Sequence, residues 1–175
     1  MGCRWRQELV LRIGLLRTLA STLAVLLVSA GLAHAQLRIV SYNLTTGDPT
    51  GVQTPRAGAD IILRSIGEEL RNGIAKPIDV LLLQEQYTMA ISTQAVVDLL
   101  NGIYGPGTYA RGVVNGSTSS PTAEGGRPGI VYNTQTVQLI EERAFGPVSG
   151  SAQARSTLRY QLRPVGYDST ADFYA

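Results

Sequence analysis

The sequence predicts an α/β sandwich built from mixed sheets. Two strand–helix units come first, over residues 37–73 and 78–107. Five short β-rich segments follow between residues 109 and 174, separated by turn residues and without helical periodicity. The second leading strand, Ile78 to Leu83, is almost continuously apolar, as suits a central strand covered on both faces. No internal repeat, linker or second domain breaks this order.

The first 35 residues stand apart from that domain. Arg4, Arg6, Arg12 and Arg17 precede a largely apolar run from Leu19 to Leu32, which ends in Ala33-His34-Ala35. A basic start, a short apolar stretch and a small-x-small site describe a secretory signal peptide over residues 1–35, with the mature chain over 36–175. A membrane anchor is the alternative. With Arg17 ahead of it, the apolar run Leu19 to Leu32 is 14 residues long, short of the roughly 20 that a spanning helix needs. The expected destination is secreted or periplasmic, with no stable membrane span after cleavage.

Removing that segment changes the chemistry available. The whole sequence has 15 Lys and Arg against 13 Asp and Glu. Four of the basic side chains and one of the acidic ones precede residue 36, leaving 11 against 12. No broad basic field for nucleic acid is implied. The single cysteine, Cys3, and the single histidine, His34, fall in the same segment. Residues 36–175 therefore have no disulfide framework, and no imidazole to act as base, acid or metal ligand.

The elements follow in order. Leu37 to Tyr42 is short and β-rich and reads as a strand; residues 44–53 are rich in Thr, Gly, Pro and Asp and read as a loop. Thr54-Pro55 supplies a helix start, with Thr as N-cap. Ala59, Ile62, Ile66 and Leu70 follow at helical spacing, and Asn72-Gly73 closes the helix. After the strand Ile78–Leu83, Ser92 or Thr93 caps a second helix with Val96, Val97, Leu100 and Ile103 inward, ended by Gly105-Pro106-Gly107. The later strands are expected over 109–114, 129–133, 136–142, 156–163 and 171–174, with a polar loop from Ser117 to Arg127.

Two residues stand out for chemistry: Asn43, just after the first strand, and Glu85, just after the second. On neighbouring strands they would share one sheet edge, and ligand sites in open α/β sheets gather outside the carboxyl ends of strands. A carboxylate and an amide carbonyl are hard oxygen ligands, suited to Mg²⁺, Mn²⁺ or Ca²⁺ and not to zinc. Taken singly, Asn43 could only cap a turn, and Glu85 could only be a solvated strand end.

The flanks make the pair more specific. Leu-Arg-Ile-Val-Ser-Tyr-Asn at 37–43 and Ile-Asp-Val-Leu-Leu-Leu-Gln-Glu at 78–85 resemble the opening of the endonuclease/exonuclease/phosphatase family. That family includes pancreatic-type deoxyribonucleases, abasic-site endonucleases, sphingomyelinases and inositol-phosphate phosphatases. The stretch from Gly125 to Asn133 is similar to its Gly-rich approach to an apolar strand, and 155–162 to the strand that deoxyribonuclease relatives open with a phosphate-contacting Arg. Residues 171–175 resemble the strand that leads to the family's first catalytic His. The resemblance covers the mature chain but only about the first half of the family's domain.

The resemblance implies a two-layer β-sandwich flanked by helices, the deoxyribonuclease-like four-layer α/β/β/α arrangement, present here in incomplete form. It implies a divalent-metal-dependent hydrolase of phosphoesters or phosphodiesters, with Glu85 as a metal ligand, Asn43 beside the metal, and Arg155 against the phosphate. A solvated residue at a strand start is an equal reading of Arg155, and Arg159 reads as part of an exposed face. The family's second Glu has no clear counterpart, Glu124 being displaced, and the later Asp-x-Asn and Asp-His motifs are absent. The expected cofactor is Mg²⁺, Mn²⁺ or Ca²⁺, held weakly if at all. The expected partner is a phosphate ester, nucleic acid included. The chain by itself is expected to be inactive, with an apolar sheet face and the strand edge at 171–175 uncovered. A secreted binding module and a membrane-tethered lipid phosphodiesterase are the alternatives.

Overall fold

A single strand, Val80–Gln86, organises the molecule because both of its faces are apolar. The computed structural model describes residues 36–44, 54–116, 126–146 and 156–175. The expected signal segment, the loop around Glu124, and Arg155 lie outside them. The chain divides into two units, Met1–Gln36 and Leu37–Ala175, and the fold is that of the second.

The architecture is α/β, with two sheets and two α-helices among the described residues. The first sheet contains β1 (Ile39–Asn43), β2 (Val80–Gln86), β3 (Tyr109–Arg111) and β4 (Arg127–Asn133), in the order β1-β2-β4-β3. β1 and β2 are parallel, and the other pairs are antiparallel. The second sheet is an antiparallel meander of β5 (Val137–Phe145), β6 (Thr157–Pro164) and β7 (Phe173–Tyr174). Helix α1 (Ala59–Glu68) forms the crossover between β1 and β2, and α2 (Gln94–Tyr104) follows β2.

Alternation along β2 divides the core in two. Leu81 and Leu83 join Leu63 of α1 and Val96, Val97 and Leu100 of α2 under the helices. Val80 and Leu82 join Ile130 of β4 and Val137, Leu158, Tyr160 and Leu162 of the second sheet. Helices, first sheet and second sheet thus form three layers. Among the described residues no helical layer covers the outer face of the second sheet. That face is mixed, not the apolar surface expected. Arg159 lies on it with its guanidinium 5.1 Å from the ring centroids of both Phe145 and Tyr174, and 2.7 Å from the Glu141 carboxylate. Arg159 therefore links β5, β6 and β7 and is more than a solvated alternation residue. β7 is the edge of its sheet, as expected for residues 171–174, and is tied to β6 by Asp172, which accepts from Arg163 at 2.6 and 3.1 Å and from Gln161 at 2.7 Å. The Arg163 hydrogen bonds hold the Asp172 carboxyl below the usual carboxylate range.

Three local expectations are corrected. Thr54-Pro55 does not start the first helix: α1 begins at Ala59, after Gly58 at φ 83°. A left-handed residue cannot lie inside an α-helix, so no helix runs through it from Thr54. The inward face becomes Ala59, Leu63 and Gly67, while Ile62 and Leu70 are exposed. Asn72-Gly73 does not close that helix either. Both residues have positive φ, and Arg71 and Ile74 exchange two backbone hydrogen bonds around them, the pattern of a two-residue hairpin turn. The helix end is capped instead by the Arg38 guanidinium, which donates to the carbonyls of Ile66, Glu69 and Ile74. Finally, Thr93 takes the N-cap position of α2, as one of the two expected residues, but its side chain makes no capping hydrogen bond. A π-helical turn, Met89–Thr93, precedes α2, and the Thr88 hydroxyl caps that turn by accepting from Ile91 N–H at 3.1 Å.

Candidate functional site

Asn43 and Glu85 stand at the carboxyl ends of adjacent parallel strands. Asn43 is the cross-strand partner of Gln84, so Glu85 is one residue further along. Regular alternation would send Glu85 toward the helices, on the side of Leu83, and away from Gln84.

A β-bulge changes that direction. Leu83 pairs with Gly129 and Gln86 with Arg127, so Gln84 and Glu85 together oppose the single residue Pro128. Glu85 takes up the extra length with φ 56°, one of two positive-φ non-glycine residues among those described. Such a conformation costs on the order of 1–3 kcal/mol, and it clusters at functional sites. As a result Gln84 and Glu85 both line one open cleft of about 340 Å³, walled on the other side by Ser156 and Leu158 and floored by Gly126 and Pro128. The cleft lies at the end of β2 and the starts of β4 and β6. Asn43 is at the same end of the sheet but is not among the cleft's lining residues. Gln84 reaches across to β1, its amide donating to the Ser41 hydroxyl at 2.5 Å.

The neighbouring polar groups are committed to structure. Arg127 donates to the carbonyls of Tyr87 and Gly116, which anchors the start of β4 beside the cleft. The Asn115 side-chain oxygen accepts from Met89 N–H at 2.8 Å. Sequence reasoning missed Gln84, Gln86, Pro128 and Ser156 as site residues. The available signal was three consecutive polar residues, Gln84-Glu85-Gln86, ending an apolar strand opposite a proline.

The Glu85 carboxylate and the Asn43 amide carbonyl are hard oxygen donors at one sheet end, the kind that suits Mg²⁺ or Ca²⁺ and not zinc, though only Glu85 lines the cleft. The number of donors is small. Among the described residues no three His, Cys, Asp or Glu side chains converge, so water would have to complete the shell. Among the described residues no helix is long and apolar enough to cross a membrane.

No protein-family model matches the chain, and no curated protein does. Among solved structures, an endonuclease/exonuclease/phosphatase family protein from Bacteroides thetaiotaomicron is similar with a TM-score of 0.44 and 14% identity. The match covers 79% of this chain and 48% of that one, so the chain spans about half of that protein's length.

Proposed function

We propose that this chain contributes the metal-binding edge of a divalent-metal-dependent phosphoester or phosphodiester hydrolase of the endonuclease/exonuclease/phosphatase type. The observation that carries the reading is the bulge, which brings Glu85 into a cleft at the strand ends beside Asn43. The motifs at 37–43 and 78–85 support the same reading from sequence.

In this reading Glu85 and Asn43 would hold Mg²⁺ or Mn²⁺, which when bound supplies charge neutralisation for a phosphate. Gln84 and Ser156 offer neutral hydrogen-bonding groups to orient the ester, while Pro128 and Leu158 add apolar lining. Arg155 is proposed to contact phosphate oxygens. Residues 36–175 contain no histidine, so general acid–base help by imidazole, commonly worth roughly 10²–10⁴-fold, is missing. Hydrolysis by this chain alone is accordingly proposed to be slow. Export with a mature start at Gln36 belongs to the same proposal, on the strength of the Ala33-His34-Ala35 site.

The test is calorimetric titration of Mn²⁺, with an activated phosphodiester assayed in parallel. Binding that is lost in Glu85→Ala is the expected result. Equal binding and equal turnover in the two proteins would remove the reading.

A further inference from the structure

Gln86 lies directly beside the bulge at Glu85. Its side chain is buried, at 3% exposure, at the end of a strand whose first four residues are aliphatic. Burying a primary amide there is unfavourable unless its groups are satisfied. Both ends have a partner. Nε2 donates to the Gln84 carbonyl at 2.9 Å, bridging over Glu85, and Oε1 lies 3.5 Å from the hydroxyl of Thr93, itself buried.

The opposite strand is shaped to match. Gly129 has no Cβ. One placed there would come within 2.8 Å of Thr93 Oγ1 and 3.1 Å of Gln86 Cγ. Gly129 on β4, Gln86 on β2 and Thr93 ahead of α2 therefore pack together beside the peptide unit that carries Glu85.

We propose that Gln86 is a positioning residue: its amide, oriented by Thr93, keeps Glu85 in the left-handed conformation and its carboxylate in the cleft. The metal role of Glu85 rests on the function proposed above, but the conformational role of Gln86 does not. The two are separable by experiment. In the metal-free full chain, the amide–Hα coupling and the Cα and Cβ shifts of Glu85 report its φ. Gln86→Met keeps the volume and removes the donor, and Thr93→Val is a milder second variant that removes the orienting hydroxyl. The expected result is a positive-φ signature in the parent, lost in Gln86→Met and weakened in Thr93→Val, with the fold otherwise retained. A positive-φ signature that survives in both variants overturns the proposal. Mn²⁺ titration then reads the consequence. Groups that orient a ligand from behind are commonly worth 10–100-fold in metal affinity, so Gln86→Met should bind about 10-fold more weakly than the parent. If Glu85→Ala does not alter Mn²⁺ binding, the metal reading fails, and the coupling measurement still decides the role of Gln86.

Discussion

Asn43 pairs across the parallel ladder with Gln84, one residue short of Glu85. A single inserted residue, not the strand register itself, therefore sets the direction of the carboxylate. Returning β2 to regular pairing would turn Glu85 toward the helical core. Deleting Glu85 outright should restore the ladder and abolish Mn²⁺ binding, whereas Glu85→Gln should keep the cleft geometry and lose affinity only by charge. Titration of both proteins checks this, and equal affinities would contradict it.

The strain at Glu85 should be measurable as stability. Glycine populates φ near 56° without steric penalty. Glu85→Gly is expected to stabilise the fold by about 1 kcal/mol in urea unfolding while removing the carboxylate. A loss of stability would mean that the Glu85 side chain contributes more to folding than its backbone costs.

Gly129→Ala should act in the opposite sense. The added methyl meets the Thr93 hydroxyl and the Gln86 stem, and overpacking of this kind costs typically 1–3 kcal/mol. The same substitution should perturb the Glu85 amide resonance although the two residues are on different strands. An unchanged resonance would argue against mechanical coupling through Gln86.

Acid should loosen β7 first. Asp172 is held below its ordinary value of 3.8 mainly by the hydrogen bond from Arg163, with partial burial opposing and Gln161 assisting. A carboxylate depressed in the folded state stabilises fully above its unfolded value and loses that contribution as pH falls through the folded one. Melting temperatures of the parent and of Asp172→Asn should therefore differ at pH 6, and the gap should shrink progressively as pH falls below the ordinary carboxylate value of 3.8. A constant gap down to pH 2.5 would show that the ion pair does not tie the edge strand.

Much of this was legible in the sequence. The unbroken apolar run from Val80 to Leu83 required cover on both faces, and the two core clusters supply it. Val96, Val97 and Leu100 announced the inward face of α2 by spacing alone. Boundaries set by backbone conformation were not legible, because a left-handed Gly58 and a Thr-Pro cap have the same local appearance before the chain turns. The ends of β1 and β2 were readable, but the bulge was not. Its neighbours Gly129 and Thr93 lie 7 or more residues away from Gln86 and meet it only once β4 and the π-helical turn are in place. Arg155 is outside the described residues, and its proposed part rests on sequence.

β2 belongs to both cores at once, and this bears on how the protein opens. Neither the helical layer nor the second sheet can detach without exposing leucine or valine side chains of that one strand. Local fluctuations should therefore be confined to the periphery, and the amides of Val80 to Leu83 should exchange with solvent only through global unfolding. The cleft is built on the end of the most slowly exchanging segment, so its geometry should persist unchanged on the timescale of ligand encounter.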